Sequence, residues 1–220
     1  MSIKKIFFFL FIISLRQIVY SQGNTISVDS IELYFNEINT ICEKDNGKLW
    51  EKKLLSPLIV IERETRFFVA NENDNLNTFQ KENNVFTGFF PDSLIIANST
   101  TFFGDKFWTM VSFPLPEEQI DRQILFIHEM FHYLQKELLT GNESYSNEHI
   151  DNKQARILLK LEWNALVTAI NSNKKHQKQA ITDALVFNYY RKQLFRGSDT
   201  METKFEIMEG LAEYTAIKLC

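Results

Sequence analysis

The chain has 220 residues and a formal net charge of −4, with a sequence pI near 5.7. That balance gives no electrostatic footprint for nucleic acid or for an anionic membrane surface. A hydrophobic content of 45%, with 20 phenylalanines, excludes a disordered chain and fits one domain of ordinary size, or one with a small subdomain.

Residues 1–22 read as an export signal. Lys4 and Lys5 form a basic start, Ile6 to Leu15 an apolar core, and Val19-Tyr20-Ser21 a small-residue cleavage site before Gln22. The apolar run is shorter than the roughly 20 residues a spanning helix needs, and Arg16 ends it. No cysteine follows it to take a lipid, so no membrane insertion is expected after signal removal. The mature chain is expected to begin near Gln22 or Gly23, secreted or periplasmic. Export permits disulfides, but Cys42 and Cys220 lie far apart, and their spacing argues for no bridge.

A helix is expected over 28–55, where Ile31, Leu33, Phe35, Ile38 and Ile41 alternate with acidic residues. Strand-like segments follow at 58–61, 66–70, 93–97 and 107–113, rich in β-branched and aromatic residues and separated by turns such as Asn71-Glu72-Asn73-Asp74. After Pro114-Leu115-Pro116 the pattern becomes helical, with Glu117 and Glu118 in the first turn. Ile120, Ile124, Ile127, Phe131, Leu134 and Leu138 form one stripe, and Gly141 is the stop. Leu125, Phe126 and Met130 add apolar surface beyond the stripe, so this helix is expected to be enclosed by protein. Further helices read as 152–171 and 179–195, with a polar connector between them, and from about 201 to the end. Cys220 falls inside a helical pattern with no stop signal, and the chain reads as truncated there. The layout is α+β, with a mixed sheet in the N-terminal half and a mainly helical C-terminal half.

The enclosed helix carries His128-Glu129-Met130-Phe131-His132, an HExxH pentapeptide. Residues four apart on a helix leave the same face, so both imidazoles can share one metal ion. The glutamate after the first histidine can then serve as general base toward a water. Two histidines leave a zinc site one protein ligand short. Glu209, in Glu209-Gly210-Leu211-Ala212-Glu213-Tyr214, is the first candidate, and Glu213 four residues on faces the same way. Glu162 is the rival. It sits among Leu158, Leu159, Ala165 and Leu166, and a carboxylate there must find the metal, a ligand histidine, or an arginine such as Arg156 or Arg191.

The pentapeptide followed by a helix with a Glu-Gly-x-Ala-x-Tyr-like segment resembles the gluzincin, or thermolysin-like, zinc metallopeptidases, including the M1-type aminopeptidases. The resemblance covers about 105–136 and 203–217. It implies a zincin-like fold over 23–220, one zinc ion held by His128, His132 and Glu209, and Glu129 as the catalytic base. It also implies that Glu213 orients a ligand histidine. In that family an edge strand above the active-site helix binds the extended substrate, and Lys106 to Val111 is the matching segment. The 76 residues between His132 and Glu209 exceed the family's spacing, and two inserted helices would account for them.

His149 and His176 sit in polar connectors and are expected to be solvated. Tyr189, Tyr190 and Tyr214 carry hydroxyls that could serve an oxyanion, although core packing is expected for each; Trp108 is expected in the core or lining a substrate groove. Asn98-Ser99-Thr100 and Asn142-Glu143-Ser144 are sequons that mark exposed loops. The expectation is an exported zinc metallopeptidase acting on a peptide or protein. A metal-binding but inactive protein, and a non-enzymatic exported binding protein, are the alternatives.

Overall fold

The structure is a computed structural model and describes residues 25–138 and 147–220. The export segment, the Gly141 stop and the sequon at Asn142 lie outside those residues. No helix among the described residues is long and apolar enough to cross a membrane. The described residues form two compact units, one from those within 23–143 and 206–220, the other from those within 144–205.

The first unit opens with α1 (Val28–Asp45), capped by Ser27, whose hydroxyl accepts the Ser30 N–H. Its buried residues Ile31, Phe35, Ile38 and Cys42 recur at helical spacing. The helix does not reach residue 55 as its pattern predicts. Asn46 turns left-handed at φ 48° and Gly47 follows at φ 80°, while the Asp45 carboxylate accepts the N–H groups of Gly47 and Leu49. Those bonds hold a turn where the apolar pattern alone would have continued a helix.

Six strands follow: β1 (Leu58–Glu62), β2 (Phe67–Ala70), β3 (Gln80–Glu82), β4 (Val85–Phe89), β5 (Ser99–Phe103) and β6 (Lys106–Phe113). They form one mixed sheet in the order β3-β4-β2-β1-β6-β5. β1 and β6 pair in parallel, and the remaining neighbours are antiparallel. Alternation along β1 divides the core in two. Leu58 and Val60 join Val69, Val111, α1 and the HExxH helix on one face, whereas Ile59 and Ile61 join Phe68, Trp108 and Met110 on the other. The 93–97 segment is not a strand; its Leu94 and Ile96 pack over the second face instead. The strand begins at Ser99 and turns back at Gly104 and Asp105, both at positive φ, with Phe103 paired to Lys106. This is the two-residue connection whose twist suits a tight hairpin. β3 and β4 are additional to the expected strands. β3 is the fully exposed Gln-Lys-Glu, which has no apolar alternation to betray it.

α2 (Gln119–Leu138) lies on the first face. Glu118 caps it rather than starting it, since its carbonyl accepts the Arg122 N–H. The helix buries Phe126, Ile127, Met130, Phe131 and Leu134, and so is as enclosed as its composition predicts.

The second unit holds a 3-10 turn (Glu148–Asp151), α3 (Lys153–Asn171), α4 (Lys174–Leu194) and the start of α5 (Ser198–Leu219), a helix that ends in the first unit. Asn152 caps α3 close to the expected boundary. α4 starts five residues earlier than expected because Asn173 caps it, accepting the His176 N–H. Ala155, Ala169, Ala180 and Ala184 are buried where α3 and α4 pack together. The architecture is thus α+β, with a six-stranded mixed sheet and a mostly helical C-terminal half.

Candidate metal centre

α2 packs against β6 and β5 and presents His128 and His132 one turn apart, their rings edge to face with centroids 4.8 Å apart. Their Nε2 atoms are 3.1 Å from each other. Glu209, in the middle of α5, brings its Oε2 to 3.3 Å from His128 Nε2 and 3.5 Å from His132 Nε2. Among the described residues, His128, His132 and Glu209 are the group that could hold a metal ion.

The three donor atoms form a nearly equilateral triangle. Three corners of a tetrahedron around an ion held at about 2.0–2.1 Å lie about 3.3 Å apart, which is the spacing found. Two imidazoles and one carboxylate are also a borderline donor set suited to zinc. The residues therefore fit such an ion.

Glu213, one turn after Glu209, lies with Oε2 3.4 Å from His128 Nδ1. Its other oxygen, Oε1, is buried with no hydrogen-bond partner among the described residues. Burial alone would lower the His128 pKa, but the Glu209 and Glu213 carboxylates outweigh it and raise it from 6.5 to about 9. His132 is also raised, against burial, by Glu209 and Gln135.

Glu129 is 7% exposed. Burial pushes its pKa above the usual carboxylate value, and the two imidazoles pull the other way. A buried carboxylate so placed is a stronger base than one in water.

Gln135 was not legible as a site residue, yet it is 1% exposed and touches the centre directly. Its Oε1 is 3.0 Å from His132 Nδ1, and its Nε2 donates to the Met208 carbonyl at 2.9 Å. The available signal was its position, three residues after His132 on the same helix face.

The rival Glu162 is engaged elsewhere. It pairs with Arg191 and accepts from Asn188 Nδ2 at 3.0 Å. Arg191, itself 1% exposed, also grips Glu202 through Nε at 2.8 Å and Nη2 at 2.7 Å. His149 is not solvated as its polar surroundings predict; its Nε2 is 2.6 Å from Glu202 Oε1, closing this buried network in the second unit. The network needed the buried arginine as its centre, and Glu162 found that arginine rather than a metal. His176 is exposed, beside its cap Asn173. Tyr189, Tyr190 and Tyr214 are at least half exposed, so the expected core packing does not hold for them. Trp108 is fully buried, as expected, and donates to the Phe103 carbonyl at 2.8 Å.

The segment Lys106 to Val111 is not the edge strand. β6 is paired on both sides, in parallel with β1 and antiparallel with β5. Among the described residues the sheet edge beside α2 is β5.

No protein-family model, curated protein or solved structure matches this chain.

Proposed function

We propose that the chain is an exported zinc metallopeptidase of gluzincin type, hydrolysing peptide bonds in a peptide or protein. The observation that carries this reading is the triangle of His128, His132 and Glu209 donor atoms, 3.1 to 3.5 Å apart, with the buried Glu129 beside the two histidines on the same helix. In this reading residues 1–22 are the leader, and 23–220 carry the zincin-like domain.

A bound zinc supplies Lewis-acid chemistry, acidifying a water and polarising the scissile carbonyl. The chain's residues do the rest. Glu129 takes the proton of the attacking water on a carboxylate oxygen and returns it to the leaving amine. Glu213 holds the outer nitrogen of the His128 ring. β5, the sheet edge among the described residues, would offer its outward backbone groups to an extended peptide, which would add as a further strand next to α2.

The test is metal analysis together with cleavage of a broad peptide library by the purified protein. The expected result is one zinc per chain and measurable cleavage. Glu129→Gln should keep the zinc and lose roughly 10²–10⁴-fold in rate. Zinc well below half an equivalent, or cleavage unaffected in the zinc-loaded variant, would overturn the proposal.

A further inference from the structure

We infer that Gln135 is a positioning residue of the metal centre: one buried amide fixes which nitrogen His132 turns inward and ties that ring to the chain that delivers Glu209. The inference rests on the metal reading above and concerns residues that reading leaves without a role.

Met208 fixes the orientation of the Gln135 amide. A backbone carbonyl can only accept a hydrogen bond, and the amide of Gln135 reaches it at 2.9 Å. The amide must therefore turn its NH₂ toward Met208, which leaves its carbonyl oxygen facing His132. That oxygen lies 3.0 Å from Nδ1 and carries no hydrogen, so Nδ1 must be the N–H. The Nε2 lone pair of His132 is thereby the one offered to a cation, and Nε2 is the atom that converges on His128 and Glu209.

The same amide spans the two helices of the site. Met208 directly precedes Glu209, so the bond to its carbonyl sets the height of α5 against α2 at the third donor. His128 is served differently, by the Glu213 carboxylate on its Nδ1. Each ring thus has its own outer partner, one charged and one neutral. Losing such partners typically weakens metal affinity 10–100-fold.

The test uses the ¹⁵N-labelled full chain, metal-free and zinc-loaded, with Gln135→Met and Gln135→Glu beside wild type. In wild type the His132 Nδ1 proton should exchange slowly in both states. In Gln135→Met that proton should exchange fast, zinc affinity by chelator competition should fall about 10–100-fold, and the visible absorption of the cobalt-substituted protein should shift. Gln135→Glu keeps an acceptor for Nδ1 but loses the donor to Met208, so it should restore the protected proton but only part of the affinity, a split that a purely structural role would not give. A folded Gln135→Met with wild-type zinc affinity and cobalt spectrum would overturn this inference alone. Absence of zinc uptake by wild type would overturn the metal reading and this inference with it. Should Gln135→Met not fold, an unprotected Nδ1 proton in wild type, or loss of protection in Gln135→Glu, still refutes it.

Discussion

Protons compete with zinc for the lone pairs of this site, and the carboxylates set the terms. Zinc requires both imidazoles unprotonated. With the His128 pKa at about 9, a zinc ion arriving at pH 7 must displace a proton held about two pH units above the solution, which costs roughly 100-fold in apparent affinity. Each further unit of acidification costs about tenfold through His128, and up to about a hundredfold once His132, also raised, is counted. Ordinary histidines, with a pKa near 6.5, would give a flat profile above about pH 7.5. Chelator competition from pH 6 to pH 10 should therefore show affinity still climbing between pH 7.5 and 9. Glu209→Gln removes the carboxylate that raises both rings, so it should bind zinc more weakly and level off at lower pH. A wild-type profile already flat at pH 7.5 would refute the electrostatic account of the site.

The metal-free protein should show the mirror image in its stability. The folded His128 pKa lies above the unfolded 6.5, so its contribution is fully present below pH 6.5 and is lost as pH rises through about 9. At 1.36 kcal/mol per pH unit that contribution is on the order of 3 kcal/mol. The side chain is 18% exposed, so solvent screening trims it only modestly. Urea unfolding with a chelator present should thus be easier at pH 9.5 than at pH 6, and excess zinc should reverse the order. Equal midpoints at the two pH values in the metal-free protein would contradict the linkage.

Arg191→Met should destabilise the second unit by about 3–5 kcal/mol, because Glu162 and Glu202 lose the buried guanidinium that pairs them; a urea midpoint within error of wild type would count against it. The Glu202 pKa is held below its ordinary value, against burial, by Arg191 and His149. Its share of stability is therefore present above pH 4.5 and should fade as pH falls below it, an acid lability that Arg191→Met should reduce, leaving the part that His149 supplies. Gly104→Ala should cost at least about 1–3 kcal/mol. The residue sits at φ +59°, and a Cβ there would meet Asp74 Cβ at 2.5 Å; a thermal midpoint unchanged by this substitution would show that the hairpin relaxes freely.

The parts of the fold that were legible are those fixed by burial with a clear period. α2 was readable because its apolar residues surround it, and β1 because Leu58-Ile59-Val60-Ile61 is buried on both faces. The missed parts were decided by polar and backbone contacts that periodicity does not encode. α1 stops at Asn46 because the Asp45 carboxylate closes a turn, and α4 starts at Lys174 because Asn173 accepts a backbone N–H. Segment 93–97 has the composition of a strand. Arg66 donates to the carbonyls of Phe90 and Leu94, and so draws the segment into a loop over the sheet.

The site divides along the same line, and the reason lies in distance along the chain. His128, Glu129 and His132 are placed by one helix, so their geometry follows from spacing whatever the tertiary structure does. The third donor is 81 positions from His128 and depends on how α5 packs on α2, which no local pattern specifies. Of the two candidate carboxylates, Glu209 groups with the histidines, whereas Glu162 pairs with the buried Arg191. Ala212 and Ala216 carry the rest of the argument. Both are fully buried in the same core cluster as Phe126, Ile127 and Phe131, so this face of α5 is turned into the core that α2 shares. A helix seated on residues 212 and 216 turns residues 209 and 213 toward the two histidines, and the alanines between the two carboxylates and beyond were therefore as much a part of the ligand signal as the glutamates themselves.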